Sequence, residues 1–98
     1  MSDIPDIPGI PGINVQHNPA AQRFEIHLDG HVGFLQYEQQ NGEIRILHTE
    51  VPKALGGRGL GGLLAKEVLR WARGQTGQRL VVLCPFVREY MRKHPDGE

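Results

Sequence analysis

The feature of this 98-residue chain that most limits how it can fold is the run Gly56-Gly57-Arg58-Gly59-Leu60-Gly61-Gly62, five glycines in seven residues just ahead of an amphipathic stretch. Glycine inside a helix costs up to about 1 kcal/mol relative to alanine, so a cluster at a helix start has to be offset by something else. A bound phosphate does that. Backbone without Cβ atoms approaches an anion closely, and the free N–H groups and dipole of a helix N-terminus point at it. A flexible loop, or close packing of the helix on a sheet, is the plain structural alternative.

What flanks the cluster gives the fold class. Upstream the hydrophobic period is two: Phe24, Ile26 and Leu28 alternate with Arg23, Glu25 and His27, and Asp29-Gly30 forms a tight turn. A second strand is predicted from His31 to Glu38. Asn41-Gly42 turns the chain again into a third strand, Glu43 to about Glu50, with Ile44 and Ile46 on one face. These make an antiparallel meander. Downstream the period becomes helical, with Leu60, Leu63, Leu64, Val68 and Trp71 on one stripe, Trp71 as core, and Gly74 and Gly77 ending the helix. The unbroken apolar run Leu80 to Leu83 predicts a strand buried on both faces and paired in parallel. Strand 43–50, helix 59–73 and strand 79–84 then form a right-handed βαβ unit. A short helix, Val87 to Lys93, is stopped by Pro95. The expected class is a compact α/β (α+β) fold.

Composition narrows the function. The length allows one domain. No apolar run approaches the roughly 20 residues of a membrane helix, so no membrane span is expected. Met1-Ser2-Asp3 shows neither the basic stretch nor the apolar core of a secretory signal, which makes a cytoplasmic location the expectation. The single cysteine, Cys84, forbids an internal disulfide, and no metal site is expected. Residues 1–14, with Ile4-Pro5-Asp6, Ile7-Pro8-Gly9 and Ile10-Pro11-Gly12, are expected to be a disordered or polyproline-like tail, leaving 15–98 as the domain. The net charge of zero hides two basic against seven acidic side chains in residues 1–50, and nine against four in residues 51–98. A basic half holding a glycine cluster suits a small polyanion better than a nucleic acid.

Three phosphate motifs compete for the cluster. A Walker A loop fails, because no Gly-Lys-Ser/Thr follows at the required spacing. Gly57-Arg58-Gly59-Leu60-Gly61-Gly62 fits the dinucleotide pattern G-x-G-x-x-G, but the next strand ends Leu83-Cys84-Pro85 where an acidic residue is needed, and a meander precedes the loop. The third is an acyl-CoA diphosphate loop. In the order meander, Val51-Pro52, Arg58-Gly59-Leu60-Gly61, amphipathic helix, apolar strand and Cys84-Pro85-Phe86, the chain resembles the small single-domain members of the GNAT N-acetyltransferase superfamily over roughly residues 15 to 98. His48-Thr49-Glu50-Val51-Pro52 and the stretch Tyr90 to Pro95, with its Lys93-His94-Pro95 ending, carry the rest of the likeness.

The resemblance implies a GNAT-like fold in which the two parallel strands splay apart and acetyl-CoA (CoA) lies in the gap. The loop pattern Q/R-x-x-G-x-G/A lands on Gly56 to Gly61, with Gly56 where the family carries glutamine or arginine. Cofactor contacts would come from Thr49, Glu50 and Val51 through their backbone, from Gly57, Arg58, Gly59, Leu60, Gly61 and Gly62, and from Phe86, Tyr90 and His94, with Arg92 or Lys93 beside them. The partner would be an amine acceptor, a small molecule or a protein, and the chain a monomer or weak dimer.

Two residues are candidates for chemistry. Cys84 ends the last strand just before a helix, where the helix N-terminus and Arg88 favour the thiolate; its sulfur is expected to face the splayed gap. The plain alternative is a small hydrophobe filling the strand end. His48, on the strand before the loop, can accept a proton from an amine, or serve only as a hydrogen-bonded strand residue. The expected activity is acetyl-CoA-dependent N-acetyl transfer to an amine. The alternative is a CoA-binding or protein-interaction module without turnover.

Overall fold

The computed structural model describes residues 13–95. Asp29-Gly30 and Asn41-Gly42 both turn with positive φ at each residue, 53° and 78° in the first pair and 51° and 75° in the second. That is the conformation a two-residue hairpin turn needs to match strand twist. The two turns join β2 (Arg23–Leu28), β3 (His31–Gln40) and β4 (Glu43–Glu50) into the expected meander. A 3₁₀ turn at Lys53–Leu55 leads to α1 (Leu60–Arg73), then β5 (Arg79–Val82) and α2 (Pro85–Lys93). The sheet has the order β1-β2-β3-β4-β5, where β1 (Gln16–Asn18) pairs antiparallel with β2, and β5 pairs parallel with β4.

Helix α1 forms because its apolar residues share one face. Leu60, Leu63, Leu64, Ala65, Val68, Leu69 and Ala72 are buried against Phe24, Ile26, Leu35, Tyr37, Ile44 and Ile46 of the sheet. Val87 anchors α2 in the same core, with Pro85 at the first turn of that helix, where its missing donor costs nothing. The opposite face of the sheet carries a polar array. The Arg23 guanidinium lies 3.9 Å from the Phe34 ring centroid. Glu25, only 8% exposed, accepts from Asn18 Nδ2 at 3.3 Å and bonds His27 Nε2 at 2.8 Å.

Three expectations are corrected. The short β1 escaped notice because Gln16-His17-Asn18 has no alternating apolar pattern; His17 docks it by stacking on Phe24 with ring centroids 4.2 Å apart. The expected tail at 1–14 lies outside the described residues up to residue 12; Ile13 packs against the core. Trp71 is only half-buried, against His17, Phe24 and Tyr37. Most consequentially, the 80–83 run is not buried on both faces. Leu80 is 36% and Leu83 51% exposed, and among the described residues β5 is an edge strand with β4 as its single neighbour.

The polar anchors of β1 and β2 make stability depend on acid. His17 Nε2 is 2.5 Å from Tyr37 Oη, and partial burial holds the His17 pKa below 6.5. A folded-state pKa below the unfolded value means that the unfolded chain takes up the proton first. Stability is therefore full above pH 6.5 and falls as the pH drops through that value. Glu25 is also held low, chiefly by its hydrogen bond with His27, so its contribution is present above pH 4.5 and lost as the pH falls below that value. Chemical denaturation at a series of pH values should show both losses, and His17→Phe should flatten the upper one while leaving the lower.

Candidate functional site

The site begins where β4 and β5 part. Their parallel register runs from Glu43↔Arg79 to Ile46↔Val82 and stops. Beyond it Leu83 N–H and Cys84 N–H both donate to the Ile46 carbonyl, at 2.9 and 3.1 Å. β4 itself continues to Glu50, paired with β3 only. At the same point β4 carries a bulge: Tyr37 faces Ile46 and Gln36 faces His48, leaving Leu47 as the extra residue. The bulge reverses which residues point inward. Ile44 and Ile46 are buried ahead of it, whereas after it Thr49 and Val51 turn in and His48 and Glu50 turn out.

Thr49 and Val51 open onto a cleft of about 480 Å³, closed by Pro52, Lys53, Leu55, the glycines 56, 57, 59, 61 and 62, Leu60 and Phe86. Among the described residues no acidic side chain lines it. Gly59 caps α1 in the left-handed region, φ 75°, with no side-chain cap. The first backbone donor of the helix that closes inward is Leu63 N–H, 3.1 Å from the Gly59 carbonyl. Leu60, Gly61 and Gly62 thus present the helix's orphan N–H groups, and no acidic residue in the first turn offsets the dipole. Gly61 has a second reason to lack a side chain: a Cβ there would lie 2.9 Å from Phe86 Cζ. Such a helix start can hold an anion, and a strand with one free edge can hold an extended amide-bearing chain.

The structure thus gathers Thr49, Val51, Gly57, Gly59, Leu60, Gly61, Gly62 and Phe86 around one cleft. Tyr90 and His94, their rings stacked at 4.3 Å, line an adjoining recess of about 220 Å³ that shares Gly62 and Phe86 with it. Other candidates lie elsewhere. The Glu50 side chain is on the opposite face of β4, where its Oε1 bonds His48 Nε2 at 3.0 Å. Arg58 donates to Asp29 at 3.3 Å, away from the cleft. Cys84 is 3% exposed and sits behind the cleft wall, its Sγ 3.5 Å from Thr49 Oγ1, rather than facing the gap. Sequence reasoning missed Pro52, Lys53, Leu55 and Gly56 as wall residues. The 3₁₀ turn that folds them in is closed by Gly56 N–H on the Lys53 carbonyl at 3.0 Å, and the Pro-x-x-x-Gly spacing is its only trace in the sequence.

The family model described as GCN5-related N-acetyl-transferase matches residues 23–98. A relative, Protein NATD1 of Bos taurus, is 33% identical over 86 residues, covering 85% of this chain and 75% of the relative.

The loop glycines should separate by conformation. Alanine at Gly59 meets no neighbour but must hold φ 75°, and should lower the stability by about 1 kcal/mol. Gly62 is helical and its added Cβ would make only an ordinary 3.7 Å contact with Tyr90, so Gly62→Ala should be neutral or raise stability by up to about 1 kcal/mol. Urea unfolding of both variants checks the difference in sign.

Proposed function

The chain belongs to the GCN5-related N-acetyltransferase family, and from that premise we propose that it binds acetyl-CoA and transfers the acetyl group to an amine. One observation carries the reading: unpaired strand backbone and unpaired helix N–H groups line the same cleft. The residues present fit such a ligand. An amide-bearing arm would add to β4 along the backbone of Thr49, Glu50 and Val51 as a further strand does. A diphosphate would take the donors of the loop from Gly57 to Gly62, with Lys53 as the cation on the cleft wall. Phe86, Tyr90 and His94 would enclose the far end.

Acetyl-CoA, when bound, supplies the acetyl group as an activated thioester. The protein has to place it, provide hydrogen-bond donors where charge develops on its oxygen, and give the amine proton a way out. His48, held by the Glu50 carboxylate on the open face of the sheet, is the proposed proton acceptor. Cys84, behind Thr49 at the parting of the strands, is the proposed second contributor. Because among the described residues no helix covers the sheet around His48, whose side chain is 59% exposed, a shallow acceptor site is proposed, which favours an amine on a peptide or protein over an enclosed small molecule.

A CoA-binding module without turnover is the second reading, favoured by one observation: neither Cys84 nor His48 lines the cleft. Calorimetric titration with acetyl-CoA, with NADH as the control, comes first; saturable binding of acetyl-CoA alone is expected, and binding of neither would withdraw the proposal. Acetylation of a mixed lysine-peptide pool then separates the two readings. His48→Gln should keep the acetyl-CoA affinity and lose about 10²-fold or more in turnover. Cys84→Ala should keep affinity and lose turnover; undiminished turnover would return Cys84 to a packing role.

A further inference from the structure

β5 leaves one edge of the sheet open. Arg79 N–H donates to the Gly42 carbonyl at 2.8 Å and Leu83 N–H to that of Ile46 at 2.9 Å, so the odd-numbered residues bond inward to β4. Strand alternation turns the N–H and C=O of Leu80 and Val82 outward, to a side where, among the described residues, no strand pairs. Beside this edge runs a groove of about 630 Å³ with an apolar floor of Val81, Val82, Leu83 and Met91 and a cationic wall of Arg88 and Arg92. It continues past Leu83 into a recess of about 430 Å³ that shares both arginines and is also lined by Glu89.

The charges choose the occupant. Arg88 has no ion-pair partner among the described residues, Arg92 and Lys93 share the single carboxylate of Glu89, and Arg79, 77% exposed at the far end of the strand, lies 3.9 Å from Glu43. Pairing of β5 with a second copy about a two-fold axis would bring both sets of arginines together, which opposes self-association. We propose that this edge binds an extended peptide segment of another protein that alternates carboxylate and apolar side chains. Its backbone pairs with Leu80 and Val82, its carboxylates meet Arg88 and Arg92 on the helix side, and its apolar groups cover Val81 and Leu83 on the other. The surface lies apart from the glycine cleft, so the proposal stands or falls separately from acetyl transfer.

The probe is a short synthetic peptide alternating valine and glutamate, capped at both ends and titrated into the isotope-labelled full chain by amide NMR. Saturable shifts centred on Leu80 and Val82 are expected, and the double variant Arg88→Glu, Arg92→Glu should weaken binding by about tenfold or more. The same peptide N-methylated on its pairing edge should fail to bind. The proposal is overturned if a valine–lysine peptide binds equally well, if N-methylation changes nothing, or if no saturable shift appears. It is equally overturned if light scattering of the chain alone shows a dimer that protects these two amides.

Discussion

The Ile46 carbonyl accepts from both Leu83 and Cys84, and the next inward donor of a ladder that uses alternate residues falls on Pro85, which has no N–H, so the parallel pairing cannot continue. On its other side β4 is held by β3 as far as Glu50, so it stays in the sheet while the β5 segment leaves it. The bulge at Leu47 adds the second half of the effect. It hands the inward positions from the even residues Ile44 and Ile46 to the odd residues Thr49 and Val51 just where the gap opens. Without the parting, the backbone of Thr49 to Val51 would be sealed by a neighbouring strand. Without the bulge, His48 and Glu50 would point into the cleft, and two ionisable groups would replace a hydroxyl and an isopropyl group on its wall.

Each element of the cleft is a local concession of stability. A free strand edge, a helix start with no side-chain cap and no acidic first turn, and a run of glycines all lower what the fold gains on closing. Their coincidence in one place is what makes a ligand the physical explanation, because a polyanion with amide groups satisfies all of them at once. The core elsewhere shows no such slack, with Ile26, Leu35, Ile46, Leu64 and Val68 fully enclosed. Glu25 illustrates the difference. It is a buried carboxylate on the open face, yet it is fully supplied with partners from Asn18, His27 and Arg23.

The meander, the βαβ order and the glycine loop were legible because each leaves a periodic or compositional mark: alternation in 23–28, Asp-Gly and Asn-Gly turns, a helical stripe from Leu60 onward. The bulge leaves none. Alternation carried on from Ile44 and Ile46 points His48 and Glu50 inward, whereas the added residue at Leu47 turns Thr49 and Val51 inward in their place. Cys84 was placed by chain order at the strand end, which is right, but the donation of its own N–H to Ile46 draws the side chain behind Thr49. The run 80–83 misled for another reason. Continuous apolar character signals two covered faces where layers pack on both sides of an inner strand, and among the described residues β5 lies at the sheet edge with Leu80 and Leu83 exposed.

The asymmetry of charge along the chain becomes an asymmetry in space. The acidic half of the sequence builds the meander, whose open face carries Glu25 and Glu50, while the basic half builds α1, β5 and α2 around the cleft and the free edge. Under the proposed activity the two reactants have opposite charge: the acyl donor is a polyanion and an amine acceptor in water is a cation. They would therefore be drawn to different sides of the same gap, the donor to the helix start and the amine to the face where His48 and Glu50 stand. Screening confines this sorting to about 8–10 Å, roughly the depth of one sheet layer. That separation would let a chain of zero net charge handle two oppositely charged partners without either occupying the other's side.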